Sequence, residues 1–178
     1  TKKDKSAVLF VVDTSTSMLY KSKVRGHVTL RGDRNVGSTL NTKPKKPRKH
    51  TRFTRLQQVQ AVIDAQLEEM AKSTPHRRAG IVSFDESLSL IGDGLSLAAD
   101  ASSRSVSGTD LFDMAALRQA GRRCPISRPV SETRGRLSEL LFGLVTHGTT
   151  ALGPAVVSGI SMLKSGGRGS RMVLCTDG

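Results

Sequence analysis

The sequence predicts an α/β fold in which a doubly wound, mostly parallel sheet carries helices on both faces. Short continuous apolar runs alternate along the chain with stretches of helical periodicity, and aromatic residues make up only 3% of the chain. A continuous apolar run is typical of a strand buried on both sides, and such a strand needs a helical layer on each side. Because 178 residues suit one core, we predict a single domain over residues 1–178.

Four strands are predicted from apolar, β-branched segments that polar residues bound. They cover residues 7–12, 79–84, 87–91 and 172–176. The second and third meet at Asp85-Glu86, which favours a hairpin on the edge of the sheet. The fourth is expected to be buried, with Cys175 as a small buried thiol.

Four helices are predicted from apolar residues at helical spacing and from their end signals. They cover residues 54–73, 107–121, 131–146 and 154–165. The expected N-terminal caps are Thr54, in a capping box with Gln57, then Ser107 or Thr109, and Ser131. Pro154 suits the first turn of the last helix, and Gly166-Gly167 ends it.

The net charge of +13 is concentrated in one segment. Residues 20–55 hold twelve Lys or Arg residues against a single Asp, without periodicity. We therefore predict that residues 20–53 form a basic, flexible insertion in the domain. The stretch from Lys43 to His50 suits nucleic acid or an acidic surface, but a solvated loop is the alternative, because no aromatic platform accompanies it. We interpret Arg31-Gly32-Asp33, an integrin-binding tripeptide, as a chance match.

The cysteines and the apolar runs bear on where the protein works. Only two cysteines occur, in no CxxC arrangement, which argues against a disulfide framework. No apolar run has the length of a membrane span, and the first residues lack the apolar stretch of a signal peptide. We therefore expect a cytoplasmic protein without a transmembrane segment.

Three polar clusters fall at one edge of the predicted sheet. Asp13-Thr-Ser-Thr-Ser17 follows the first strand, Gly148-Thr-Thr-Ala-Leu-Gly-Pro154 opens a helix, and Thr176-Asp-Gly178 follows the last strand. Ligands of parallel α/β sheets bind outside the carboxyl ends of the strands. The alternating Asp and Ser side chains of the first cluster supply hard oxygen ligands, which suit Mg²⁺ or Mn²⁺ rather than zinc. Taken singly, each cluster is also explained by a turn or a helix cap.

The same three clusters resemble the metal-ion-dependent adhesion site of von Willebrand factor A domains. That site has Asp-x-Ser-x-Ser after an apolar strand, a Thr in a Gly-rich loop and Asp-Gly after a later strand. The resemblance covers residues 7–178 apart from the insertion, and it implies a Rossmann-like fold. Carried across residue by residue, it implies a metal site made of Asp13, Ser15, Ser17, Thr150 and Asp177.

The resemblance also implies how each residue would act. The two Ser side chains would ligate the metal directly, the two Asp side chains mostly through water, and the Thr side chain in either way. Thr149 is the alternative to Thr150. The family's loop has an Ala five residues after the metal Thr, and Ala155 stands in that relation to Thr150.

Shorter strings narrow the resemblance. Thr54-Arg-Leu-Gln-Gln-Val-Gln-Ala61, Thr150-Ala-Leu-Gly-Pro-Ala155 and Leu174-Cys-Thr-Asp-Gly178 are similar to the A domain of circularly permutated Ras proteins. Domains of this family continue for about two more strands and helices after Thr-Asp-Gly, so the resemblance implies a domain truncated at its C-terminus, with a sheet edge left open.

The function that the resemblance implies is binding rather than catalysis. Family members use the metal mainly to bind other proteins, and an Asp or Glu of the partner would complete the coordination. A phosphatase with paired Asp residues is disfavoured because Ser15 stands where the general acid would be. A nucleotide-hydrolysing switch is disfavoured because no Gly-x-x-x-x-Gly-Lys-Ser/Thr sequence occurs. Binding of nucleic acid through the insertion is the remaining alternative.

Overall fold

The computed structural model describes residues 4–23, 52–95 and 105–177. In chain order its elements are β1 (Ala7–Asp13), β2 (Lys21–Lys23), β3 (Arg52–Thr54), α1 (Arg55–Ser73), β4 (Arg78–Phe84), β5 (Leu88–Gly92), β6 (Ser105–Val106), α2 (Met114–Arg123), α3 (Val130–Phe142), α4 (Leu152–Leu163) and β7 (Arg171–Cys175). Short 3₁₀ helices lie at Thr16–Leu19 and Gly108–Phe112. The α/β class predicted from the sequence is confirmed.

Five of these strands form one mixed sheet, in the order β6-β5-β4-β1-β7. The central strand β1 runs parallel to both β4 and β7. The predicted hairpin of β4 and β5 is present, but the short antiparallel strand β6 lies outside it at the edge. Because β1, β4 and β7 run the same way, Asp13, Phe84 and Cys175 end their strands at the same side of the sheet.

Apolar layers cover both faces of the sheet, as predicted, because the side chains of β1 point alternately to the two sides. One layer joins β1 to α2 and α4, and it includes Ala7, Leu9, Val11, Leu117 and Met162. The other joins β1 to α1 and α3, and it includes Val8, Phe10, Val12, Ile63 and Leu137. The end of β1 is thereby held rigidly in the middle of the domain.

Helix α1 begins at the predicted capping box. Oγ1 of Thr54 accepts a hydrogen bond from the backbone N–H of Gln57 at 3.1 Å, and Oε1 of Gln57 accepts one from the N–H of Thr54 at 3.0 Å. Two N–H groups that the helix leaves free are satisfied in this way. The buried side of α1 carries Leu56, Ile63 and Leu67.

Replacing Thr54 by Ala is expected to lower the free energy of unfolding by about 0.5–2 kcal/mol, the usual cost of losing an N-terminal cap. Urea denaturation followed by circular dichroism measures the change. Thr54→Ser keeps the hydroxyl and serves as the control. A loss as large in Thr54→Ser as in Thr54→Ala would show that the methyl group, and not the cap, stabilises the helix.

The predicted helix at residues 107–121 is wrong at its start. A 3₁₀ helix occupies Gly108–Phe112, and α2 begins only at Met114. Neither Ser107 nor Thr109 caps α2. Oδ1 of Asp113 accepts hydrogen bonds from the N–H groups of Ala115 and Ala116 at 2.7 and 3.2 Å, so Asp113 is the cap.

The predicted helix at residues 131–146 is wrong at both ends. It spans Val130–Phe142 and starts after Pro129, with no side chain capping it. Ser131 lies inside the helix, and its N–H donates to the backbone oxygen of Pro75 at 3.3 Å. Contact with another part of the chain therefore replaces the predicted cap, and the helix ends at Phe142 with Gly143 as its C-cap.

The last strand is less buried than the sequence predicts. Strand β7 pairs with β1 alone among the described strands, and each of its residues is half-buried or exposed. Cys175 is a free, half-buried cysteine, and burial raises the pKa of its thiol. Cys124 lies in the interior, is not in a disulfide, and donates from its thiol to the carbonyl oxygen of Leu90 at 3.4 Å.

The two ends of the predicted insertion pair with each other. Lys21 lies opposite Thr54 and Lys23 opposite Arg52 in an antiparallel β2–β3 ribbon, and Phe53 is buried. The boundary residues are therefore ordered strands rather than flexible loop. The remainder of the insertion, with Arg31-Gly32-Asp33 and the segment from Lys43 to His50, lies outside the described residues. Of the helices that the structure describes, none combines the length and apolarity needed to cross a membrane.

Candidate metal site

Asp13 lies at the carboxyl end of the central strand and is completely buried, with 0% exposure. Its Oδ1 accepts a hydrogen bond from the N–H of Ser15 at 2.8 Å, and its Oδ2 accepts one from the hydroxyl of Thr176 at 2.7 Å. Both donors are neutral. In the part of the chain that the structure describes, no Lys, Arg or His forms an ion pair with this carboxylate. An ionised carboxylate that is buried without a counter-charge is costly, and a bound cation is one way to offset that cost.

Hydrogen bonds connect Asp13 to a chain of further oxygens. The hydroxyls of Ser15 and Ser17 lie 3.0 Å apart, and the Ser17 hydroxyl donates to Oδ1 of Asp177 at 2.9 Å. The Asp177 side chain is only 10% exposed, and its Oδ2 pairs with the Arg55 guanidinium. Four of the five predicted residues, from β1 and from the end of β7, are thus brought together.

Thr150 is placed near this cluster but is not part of its hydrogen-bond chain. It is exposed, and among residues 4–23, 52–95 and 105–177 no hydrogen bond joins its side chain to the other four. Neither Thr150 nor Thr149 caps the following helix, because the cap position is Ala151 and no side chain bonds there. The simple capping interpretation of these two Thr residues is therefore wrong.

The loop that carries Thr150 is fixed against the Asp13 loop by its backbone. The N–H and hydroxyl of Thr16 both donate to the carbonyl oxygen of Gly148, at 3.2 and 3.0 Å, and the N–H of His147 donates to the oxygen of Thr14 at 2.8 Å. Thr150 therefore projects from a loop anchored at the rim of the oxygen cluster.

The backbone at Gly148 favours glycine in this arrangement. Its φ is +49°, a left-handed conformation that glycine adopts readily. A Cβ at this position would also lie 2.7 Å from Cδ of Glu86, an exposed side chain of the β4–β5 turn that would have to move aside.

Sequence reasoning missed three side chains that border the site. The Thr14 hydroxyl donates to the carbonyl oxygen of Phe84 at 3.0 Å and to Oδ2 of Asp85 at 3.3 Å, which ties the loop after β1 to the end of β4. Thr176 supports Asp13, and Arg55 pairs with Asp177. Thr14 and Thr176 directly follow strands, so their positions in the sequence could have indicated that they border the site. No neighbouring residue in the sequence indicates a role for Arg55.

The donor set fits a hard divalent cation. Two carboxylates and two hydroxyls lie in one connected group of oxygens, which is the ligand chemistry of Mg²⁺ and Mn²⁺. Among the described residues no group of three or more His, Cys, Asp or Glu side chains that could hold a metal ion is found, so the hydroxyls would have to supply the other ligands. Asp13, Ser15, Ser17 and Asp177 are the residues that would hold the ion, and Thr150 is the adjacent exposed hydroxyl.

A comparison of the sequence with protein-family models found no match, and a comparison with curated proteins found none either. The class that the structure establishes is accordingly an α/β domain with a mixed, Rossmann-like sheet and helices on both faces. Its function is inferred from the site.

Proposed function

We propose that this chain is a von Willebrand factor A-type domain that binds a partner protein through a divalent cation held by Asp13, Ser15, Ser17, Thr150 and Asp177. The observation that carries the proposal is the fully buried Asp13 carboxylate, which has neutral hydrogen-bond donors and no cationic partner among the described residues. Buried carboxylates of this kind are characteristic of metal and catalytic sites.

The arrangement of side chains favours binding over catalysis. Bound Mg²⁺ or Mn²⁺ would supply an electrophilic centre for a carboxylate of the partner. Two Asp residues balance the charge of a divalent ion, and neutral hydroxyls supply other ligands. Ser15 has no acidic group to protonate a leaving atom. The partner is thus expected to present an Asp or Glu at the exposed rim near Thr150.

Three finer statements belong to the same proposal. The short strings at residues 54–61, 150–155 and 174–178 support assignment to the type of domain found in circularly permutated Ras proteins. Action in the cytoplasm is part of the proposal and rests on the sequence reasoning about cysteines and apolar runs given above. Binding of nucleic acid or of an acidic surface by the stretch from Lys43 to His50 stays a prediction from the sequence.

Metal binding is tested by thermal melting of the full chain in EDTA, Mg²⁺ and Mn²⁺. An ion that binds only the folded state at a concentration about one hundred times its Kd adds about 2.7 kcal/mol of stability. For a chain of this size the melting temperature is expected to rise by about 5–10 °C. Asp13→Ala is expected to abolish the rise.

Asp110→Ala is the matched control, because Asp110 is an exposed carboxylate in the 3₁₀ helix Gly108–Phe112, and among the described residues it has no hydrogen bond or ion pair with the proposed metal ligands. This variant is expected to keep the full metal response. Equal metal-dependent shifts in Asp13→Ala and the unmodified chain would place the bound ion elsewhere and overturn the proposed site.

A further inference from the structure

Arg55, the first residue of α1, holds the Asp177 side of the oxygen cluster. Its guanidinium pairs with Oδ2 of Asp177 and lies over the ring of Tyr20, 5.6 Å from the ring centroid. Its backbone N–H donates to the oxygen of Tyr20 at 3.0 Å. The Arg55 side chain is 44% exposed, so solvent reaches the guanidinium while its carboxylate partner is mostly enclosed.

The position of Arg55 is unfavourable except for this partner. The N-terminus of a helix carries a partial positive charge, which repels a cation in the first turn. The first turn of α1 contains no acidic residue that would compensate. Asp177 supplies the missing negative charge from the end of another strand, over a sequence separation of 122 residues.

The same carboxylate is also part of the proposed metal site. Oδ1 of Asp177 accepts the hydrogen bond from Ser17, and Oδ2 faces Arg55. A divalent ion held by Ser17 and Asp177 would therefore lie close to the guanidinium. Two like charges at such short range repel strongly in a partly enclosed site.

We propose that Arg55 is a built-in competitor for the metal: it neutralises Asp177 in the metal-free protein and leaves Asp177 when a divalent cation binds. The proposal rests on the proposed function, since it concerns the same site. Arg55 then lowers the affinity for the metal, and its release exposes a second cation beside the ion.

Isothermal titration of the full chain with Mn²⁺ tests the effect on affinity. Arg55→Gln removes the competing charge and is expected to tighten Mn²⁺ binding about tenfold, the scale of one charge-assisted hydrogen bond. Arg52→Gln is the matched control, because Arg52 is exposed in β3 and has no described contact with Asp177. Arg52→Gln removes one positive charge three residues from Arg55, and the affinity of this variant for Mn²⁺ is expected to change less than about twofold. Arg55→Lys keeps the charge and is expected to bind like the unmodified chain.

Tyr20 supplies a second measurement, which is made first on the unmodified chain. It is the only Tyr in a chain without Trp, so tyrosine emission reports on this one residue. Mn²⁺ quenches emission by itself, so Mg²⁺ is used here. Displacement of the guanidinium is expected to change the emission on titration with Mg²⁺, and Arg55→Gln is expected to remove that change.

The outcomes separate the two proposals. If the unmodified chain binds Mn²⁺, Asp13→Ala does not, and Arg55→Gln binds no more tightly than Arg52→Gln, the competitor role is wrong and the metal site stands. If Tyr20 emission stays constant while Mg²⁺ binds, the competitor role is likewise overturned, even if Arg55→Gln does not fold. If Arg55→Gln alone binds the metal, the role is supported in its strongest form. If no variant binds either ion, both proposals fail.

Discussion

Asp13→Asn is expected to make the metal-free protein more stable while removing its response to Mg²⁺. In EDTA the free energy of unfolding should rise by about 1–3 kcal/mol, the part of the cost of burying an ionised carboxylate that its two hydrogen bonds do not offset. With Mg²⁺ at about one hundred times its Kd, the unmodified chain should gain about 2.7 kcal/mol and the variant nothing. Urea unfolding followed by circular dichroism in both solutions measures the reversal.

The magnitudes decide the sign of the metal-free effect. Asn keeps both hydrogen bonds. Its side-chain oxygen can accept from the N–H of Ser15, and its NH₂ group can donate to the Thr176 hydroxyl, because a hydroxyl can accept as well as donate. Turning two charge-assisted bonds into neutral ones loses about 1 kcal/mol each. Burial of an ionised carboxylate costs several kcal/mol even after the protein relaxes. Relief of that cost is therefore the larger effect.

Asp93 offers a matched control, since it is another buried Asp at the end of a strand. Its Oδ2 accepts from the N–H groups of Ser127 and Arg128, each at 3.0 Å, and its Oδ1 accepts from the N–H of Leu95 at 3.1 Å. An amide would turn its NH₂ group toward one of these donors. Asp93→Asn is therefore expected to destabilise the protein by about 1–3 kcal/mol, with or without Mg²⁺. A similar loss in Asp13→Asn would mean that hydrogen bonds alone justify the buried carboxylate.

Features that depend on neighbouring residues were predicted well from the sequence. The apolar run of β1 and the capping box at Thr54 concern residues within a few positions of each other, and both are present. The start of α2 was missed because Asp113 competes with Ser107 and Thr109 as a cap, and only the backbone path around Gly108, with φ +60°, decides among them. Propensity does not contain that information.

The part of the candidate site that could be predicted is the part that depends on where the parallel strands end. Parallel strands bring Asp13 and Asp177 to one edge, and the structure joins them through Ser15 and Ser17. The position of the Thr150 side chain was not predictable, because it depends on how the loop backbone bonds to Thr16. The pairing of Arg55 with Asp177 was missed for the same reason: it joins distant segments, and no periodicity records it.

Gly121→Ala is expected to destabilise the protein by about 1–3 kcal/mol, although Ala is normally the better helix residue. Gly121 is buried in α2 where this helix packs on α4. A methyl group there would overlap the carbonyl oxygen of Ser158 and lie 2.8 Å from Cβ of Ser161. The carbonyl belongs to the backbone of α4, so no side-chain rotation relieves the overlap and the helices must separate.

Gly135→Ala distinguishes this packing effect from helix propensity. Gly135 lies inside α3, is exposed, and has no neighbouring atom within 4 Å of the position that a Cβ would take. Its replacement is expected to stabilise the protein by about 0.5–1 kcal/mol. Opposite signs for the two variants in urea denaturation would establish that α2 and α4 are in close contact at Gly121.

Because α4 follows the Thr150 loop, separation of the helices should also weaken Mn²⁺ binding in Gly121→Ala, whereas Gly135→Ala should leave it unchanged. Stabilisation by both substitutions would contradict the close packing of α2 on α4 at Gly121.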